Sequence, residues 1–286
     1  TYTNYMVRHN LRLAVQIADK LEKENPDYLE ELNNKWEIRE MLPQIRRAAE
    51  GIYLPPMDKG GIIPQFSGYE KLKDLEIASY KKFGKNGEIE MLKEHTVREL
   101  NACRVHKQAD LVQLLQLFPG LPEYKDEDER RKARDRNYGF YERHTIHAAP
   151  YSFAIHSMMA ASLERTQEAY ALFHQCCDVD LSSDGENAPE GIYAACMGGI
   201  WQCVVQGFCG VRIQSDALCI NPCLPKQWES VKFRICYRAC SLDIKVTKEE
   251  VTIHNRGSHP LRLIFRGEQV SLDGMTSTLL HMQTKG

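Results

Sequence analysis

YAACMGGIWQCVVQGFCGV, residues 193–211, is the stretch on which the fold turns. It is almost wholly apolar and reads as a buried helix, with Gly198, Gly199 and Gly207 allowing a neighbouring backbone to come close. A helix that is apolar all round belongs to the interior-facing layer of a helical assembly. From about Ala217 onward the period changes. Val231/Phe233/Ile235/Tyr237, Leu242/Ile244/Val246, Val251/Ile253 and Leu261/Leu263/Phe265 alternate with polar residues. Turn residues at 248–250 and 255–258 divide the runs, and that combination indicates antiparallel strands. The expectation is an α+β chain of two domains: a helical part over 1–212 and a small antiparallel β-sheet domain over 213–286.

Upstream, helical spacing covers Tyr2–Glu24 and about Asp27–Glu50, the latter broken or kinked near Pro43. It resumes at about Glu88–Leu100, Lys107–Phe118, Ser152–Leu163 and Gln167–Cys176. The run KDEDERRKARDR, residues 125–136, reads as a solvated helix face with mixed-sign pairs. Between helices, GIYLPPMDKGGIIPQFSGY (51–69) is long for an idle connection, and Tyr53, Ile62, Ile63 and Phe66 suggest a packed loop. A turn is expected at 84–87 and a polar loop at 180–191.

The 286 residues are 43% hydrophobic and 27% charged, with a net charge of −2. That balance leaves no electrostatic footprint for nucleic acid or an anionic membrane surface. No uninterrupted apolar run approaches the roughly 18–20 residues that span a bilayer. The chain opens directly in a helical pattern at Thr1, which reads as a fragment. Ten cysteines are too sparse for a disulfide scaffold, so a reducing, cytoplasmic setting is expected. Cys219-x3-Cys223 with Cys236-x3-Cys240 superficially suggests zinc, but the pairs lie in strand-like sequence without compact C-x2-C turns, so no metal is expected.

Residues 137–156, NYGFYERHTIHAAPYSFAIH, bring Glu142, His144, His147 and His156 close together in sequence, with Pro150 before a helix start. Acid, imidazole and hydroxyl groups leading into a helix N-terminus suit an anion or a sugar hydroxyl.

These residues, with the segments Tyr2-Thr3-Asn4, QFSGY (65–69), Lys107-Gln108-Ala109-Asp110, YERHTIH (141–147), MGGIWQ (197–202) and Asn221-Pro222-Cys223-Leu224-Pro225 with Trp228, resemble glycoside hydrolase family 65 in family order across nearly the whole chain. The family contains maltose, kojibiose and trehalose phosphorylases and related hydrolases. The resemblance implies the later helices of an (α/α)6 barrel followed by a small β domain. It also implies that Lys107 and Gln108 contact the transferred glucosyl unit, and that His147 lies near the acceptor site. Glu142 corresponds to the general base of hydrolytic members, which work by inversion with a carboxylate activating water. The family's general acid, in a G-P-D-E-Y motif, precedes the Tyr-Thr-Asn segment, so this chain alone is expected to be inactive.

Two departures bear on the reaction. Phosphorylases typically read H-D-S-S-L-S where this chain has His147-Ala148-Ala149-Pro150-Tyr151-Ser152, and G-I-H-A-A where it has Gly191-Ile192-Tyr193-Ala194-Ala195. Phosphate needs several charge-assisted donors, and of this set Ser152 remains, with Tyr193, Gly198 and Gly199 on the acceptor side. The reading therefore favours hydrolysis of a disaccharide or small α-glucoside, with Glu142 as base and no cofactor. Phosphorolysis, with inorganic phosphate as co-substrate and β-glucose 1-phosphate as product, is the alternative. A non-catalytic carbohydrate-binding protein is the reading from another class. The partner is a small sugar, and a homodimer is expected because family members are often dimers.

Overall fold

A computed structural model describes residues 1–81, 86–108, 110–181, 191–214 and 217–282. The turn expected at 84–87 and the polar loop at 180–191 lie mostly outside these residues, as does Ala109. The chain divides into two compact units, Thr1–Lys73 and Asp74–Gly286.

In the first unit, α1 (Tyr2–Glu24), α2 (Pro26–Trp36) and α3 (Ile38–Gly51) pack together, and the 52–68 loop follows. Asn25 starts α2 by accepting the Tyr28 N–H at 3.3 Å, and Pro26 takes the first position, where no N–H is needed. The break expected near Pro43 falls at Glu37, whose left-handed φ of 52° turns the chain between α2 and α3. Pro43 sits inside α3, where a proline removes one hydrogen bond without reversing the chain.

The second unit carries α4 (Ala78–Lys81), α5 (Gly87–Glu94), α6 (Val97–Leu100), α7 (Asp110–Leu117), α8 (Glu127–Arg143), α9 (Tyr151–Ser162), α10 (Thr166–Leu181) and α11 (Ala194–Gln202). At its centre is α9, buried at every residue from Ser152 to Ala161. Helices α7, α8, α10 and α11 pack on it, as does a π-helical turn over Cys203–Phe208. Burial obliges its polar side chains to find partners, and Ser157 Oγ donates to the Ala169 carbonyl at 2.8 Å. Gly199 lets α11 approach: a Cβ there would stand 2.7 Å from that of Ala154. Gly198 meets nothing within 4 Å.

Two expectations change. Residues 193–211 are not one buried helix: α11 gives way to the π turn, strand starts at Val211, and Trp201 is half exposed. The charged run is not wholly solvated either. Arg134 of α8 is buried and donates to the Leu115 carbonyl at 2.8 Å and the Leu121 carbonyl at 3.2 Å. Leu115 lies in the last turn of α7, whose carbonyls have no helical partner, and a five-donor guanidinium can satisfy several such groups at once.

Strands β1 (Val211–Gln214), β2 (Ala217–Ile220), β3 (Ser230–Tyr237), β4 (Cys240–Thr247), β5 (Glu250–Asn255), β6 (Leu261–Phe265), β7 (Glu268–Leu272) and β8 (Ser277–His281) form two four-stranded sheets, β1-β2-β6-β7 and β3-β4-β5-β8. Pairing is antiparallel except between β2 and β6. The chain leaves β2 to build three strands of the other sheet before returning as β6, and only hairpin neighbours are bound to run antiparallel. The alternation read from sequence sets the inward faces: Leu242, Ile244 and Val246 join Leu218, Ile220 and Leu263 in one apolar core, which Val205 and Cys209 extend into the π turn. No helix among the described residues is long and apolar enough to cross a membrane.

The join between helices and sheets depends on Gly210, at φ 62°, where a Cβ would fall 2.0 Å from the Asn221 carbonyl oxygen. Gly210→Ala should therefore cost about 2–4 kcal/mol, read as a lowered urea midpoint, through both backbone strain and overlap.

Candidate functional site

Glu142 is the penultimate residue of α8, so its carboxylate stands at the negative end of the helix dipole. Three donors offset that position. Lys81, the last residue of α4, lies 2.8 Å from Glu142 Oε1 and also donates to the Glu142 carbonyl, capping the helix. His147 Nε2 approaches the carboxylate at 3.3 Å, and His156 Nδ1 donates to Oε2. An ionised carboxylate only accepts, so both ring nitrogens carry protons. His147 Nδ1 is then left to accept from the Ser152 hydroxyl at 2.9 Å.

Local sequence builds this geometry. His147 has a left-handed φ of 55°, which directs its ring into the cluster, and it stacks on Phe153 with centroids 4.7 Å apart. That backbone costs a non-glycine residue about 1–2 kcal/mol, a price that the ring's three contacts oppose. Ser152 and His156 are four residues apart on α9 and share one face. Side-chain exposure is 19% for Glu142, 25% for Lys81, 4% for His147 and 0% for His156, so solvent reaches the cluster along the Lys81–Glu142 edge.

Burial alone would raise the Glu142 carboxyl, but the hydrogen bonds from His147 and His156 hold it far below the usual carboxylate range. Burial also lowers His147 from 6.5 to about 4, against the pull of Glu142, so its imidazole is neutral at pH 7.

Lys107 and Gln108 lie beside this loop. A short parallel bridge joins His106 to Thr145, with His106 N–H donating to the His144 carbonyl at 2.8 Å and Ile146 N–H to the His106 carbonyl at 2.9 Å. Ala149 N–H reaches the Lys107 carbonyl at 3.4 Å. The Lys107 side chain is exposed and pairs with Glu88 at 2.5 Å, and Gln108 is exposed. Tyr193 precedes α11 and donates its N–H to Asp180 at 3.2 Å. Thus Glu142, His147 and Ser152 share one hydrogen-bonded cluster, whereas Tyr193, Gly198 and Gly199 belong to the neighbouring α11 segment, which packs on α9.

Sequence reasoning missed one member. Lys81 is separated from Glu142 by 61 residues, and no local pattern links them. His156 was legible as a candidate, and its four-residue spacing from Ser152 was the signal that placed both on one face. His144 instead bonds to the Phe140 carbonyl at 2.8 Å and Asp74 at 3.0 Å. Among the described residues, Glu142, His147 and His156 are the set whose ligand atoms converge within 4.8 Å, as a metal site would require. They are already bonded to each other, and Lys81 already neutralises the carboxylate. The ten cysteines are free thiols: Cys236 is exposed and Cys240 is buried.

Comparison with known proteins now decides the family. The model of the glycosyl hydrolase family 65 central catalytic domain matches residues 1–202, and that of the family's C-terminal domain matches residues 211–272. The chain belongs to glycosyl hydrolase family 65. Relatives include a kojibiose phosphorylase of Halothermothrix orenii, 32% identical over 88% of this chain and 31% of that protein. An α,α-trehalose phosphorylase of Geobacillus stearothermophilus is 33% identical over 94% of this chain and 36% of its own. A 1,2-α-glucosylglycerol phosphorylase of Bacillus selenitireducens is 30% identical over 95% and 35%. The chain thus spans about a third of the length of these relatives. A solved human-microbiome protein provisionally named a kojibiose phosphorylase shares the fold at TM-score 0.80, with 23% identity over 99% of this chain and 35% of its own.

The cluster should make the fold acid-sensitive in two stages. His147 titrates lower in the fold than its ordinary 6.5, so the unfolded chain binds more protons and stability falls as pH drops from about 6.5 towards 4. Glu142 is also depressed, so its contribution is present above its ordinary 4.5 and is lost as pH falls further. Urea midpoints measured across this range should fall in both limbs, and His147→Gln should flatten the upper one.

Proposed function

We propose that the complete protein cleaves the α-glucosidic bond of a disaccharide or small α-glucoside by inverting phosphorolysis. In this reaction a phosphate oxygen bonds to the anomeric carbon as the glycosidic C–O bond breaks. The leaving oxygen takes a proton from a general acid, and the product is β-glucose 1-phosphate. The observation that carries this reading over hydrolysis is the environment of Glu142. A general base for water needs a free lone pair and a pKa near the working pH. Here Lys81, His147 and His156 take up three of the carboxylate's roughly four acceptor positions, and the carboxyl is held far below its ordinary value. The curated relatives described above carry phosphorylase names, which support the same choice.

On this reading Lys107 and Gln108 grip the glucosyl unit from beside the Glu142 loop, and His147 and Ser152 form the inner wall on the acceptor side. Tyr193, Gly198 and Gly199 bound that side from α11. The helical part is the later portion of an (α/α)6 barrel over 1–212, and residues 213–286 form the accessory β domain. A reducing, cytoplasmic setting fits ten free thiols. A homodimer is the proposed assembly.

Hydrolysis is the second reading, favoured by Ala149 and Pro150 at positions that could have carried phosphate donors. Incubating the complete protein with a panel of α-glucobioses, with and without phosphate, separates the two. Turnover should require phosphate and release β-glucose 1-phosphate; glucose release at an equal rate without phosphate would overturn the proposal.

A further inference from the structure

We propose that His156 is the positioning residue of the Glu142 carboxylate and that it acts through Nδ1 alone. The inference rests on the reading of Glu142 as part of the acceptor-side site. His156 is fully buried in the middle of α9, an expensive place for an imidazole unless both nitrogens are satisfied. Among the described residues, only one is: Nδ1 donates to Glu142 Oε2, whereas Nε2 is buried with no hydrogen-bond partner among them. With Nδ1 carrying the proton, the neutral ring leaves Nε2 as a bare lone pair rather than a stranded N–H.

The surroundings explain why the ring stands where it does. Tyr138 lies against it from α8 with centroids 5.9 Å apart, and the His147 ring meets it edge-on at 4.7 Å. The Tyr138 hydroxyl is directed away, to Glu168 at 2.7 Å, so it does not compete for Glu142. Lys81 reaches Oε1 at 2.8 Å, His147 Nε2 lies 3.3 Å from both oxygens, and His156 holds Oε2. Its donor therefore fixes the rotation of the carboxylate plane. That rotation keeps both oxygens facing His147 Nε2, so His147 Nδ1 remains the acceptor of the Ser152 hydroxyl. A chain of four side chains thus transmits the position of a buried histidine to a serine at the start of the same helix.

Amide side chains separate the two nitrogens. The Asn amide nitrogen stands two bonds beyond Cβ, as Nδ1 does, and that of Gln stands three beyond, as Nε2 does. In the complete protein, His156→Asn should keep kcat within about threefold. His156→Gln and His156→Phe should each lose about ten- to a hundredfold in kcat with little change in KM for the glucoside, the loss expected of one hydrogen bond to a charged group. Nitrogen-15 NMR of the histidine-labelled protein should show His156 protonated at Nδ1 and bare at Nε2. Wild-type-like kcat in His156→Phe, equal loss in the Asn and Gln variants, or a proton on Nε2 would overturn the proposal. If His156→Phe fails to fold, the Asn–Gln contrast and the tautomer still decide it. Turnover with water instead of phosphate would sink the phosphorolysis reading and leave the order of the variants to be read on hydrolysis.

Discussion

A carboxylate at the C-terminal end of a helix is an electrostatic liability, and the candidate site is organised around resolving it. Glu142 adds its charge to the unpaired carbonyls of α8. Lys81 answers both, since one ammonium serves the Glu142 carbonyl and the carboxylate together. His147 and His156 complete the set from the connecting loop and from α9. Three separate elements are thereby tied to one side chain, and the group left most open to solvent is the ion pair itself.

Chemically, the arrangement describes a fixed anion more than a titrating base. Its proton affinity is suppressed by the donors that orient it, and its charge is largely spent on them. Such a group is well suited to setting the tautomer of a neighbouring imidazole and the direction of a hydroxyl. This shifts the balance from water towards phosphate, a reversal of what loop composition suggests. Counting the hydroxyls lost at residues 149 and 150 weighs possible donors to an anion; it does not weigh whether Glu142 is free to activate water.

Much of the second unit serves to keep α9 buried. Its wholly buried run from Ser152 to Ala161 is packed by α7, α8, α10, α11 and the π turn, with Gly199 allowing contact with α11 at Cβ distance. The two sheets share a core with Val205 and Cys209, so the β part is anchored to the same layer of helices. Arg134 shows the same logic at the end of α7, where one buried guanidinium satisfies carbonyls that the helix cannot.

The sequence by itself determined the periodicities: helical spacing, then alternation after residue 217, and with them the change from helices to strands and the inward faces of β3, β4, β5 and β6. It also brought Glu142, His147, Ser152 and His156 within one short stretch, because a loop leading into a helix keeps near neighbours near. What it could not supply was Lys81, since a pairing across 61 residues leaves no local trace. Nor could it supply the left-handed turn at Glu37, the parallel pairing of β2 with β6, or the half-exposed Trp201 in an apolar run. Each of these depends on which surfaces meet after the chain has folded. The role of Glu142 belongs with them, because a carboxylate's proton affinity is set by the donors around it, and only the tertiary structure decides which donors those are.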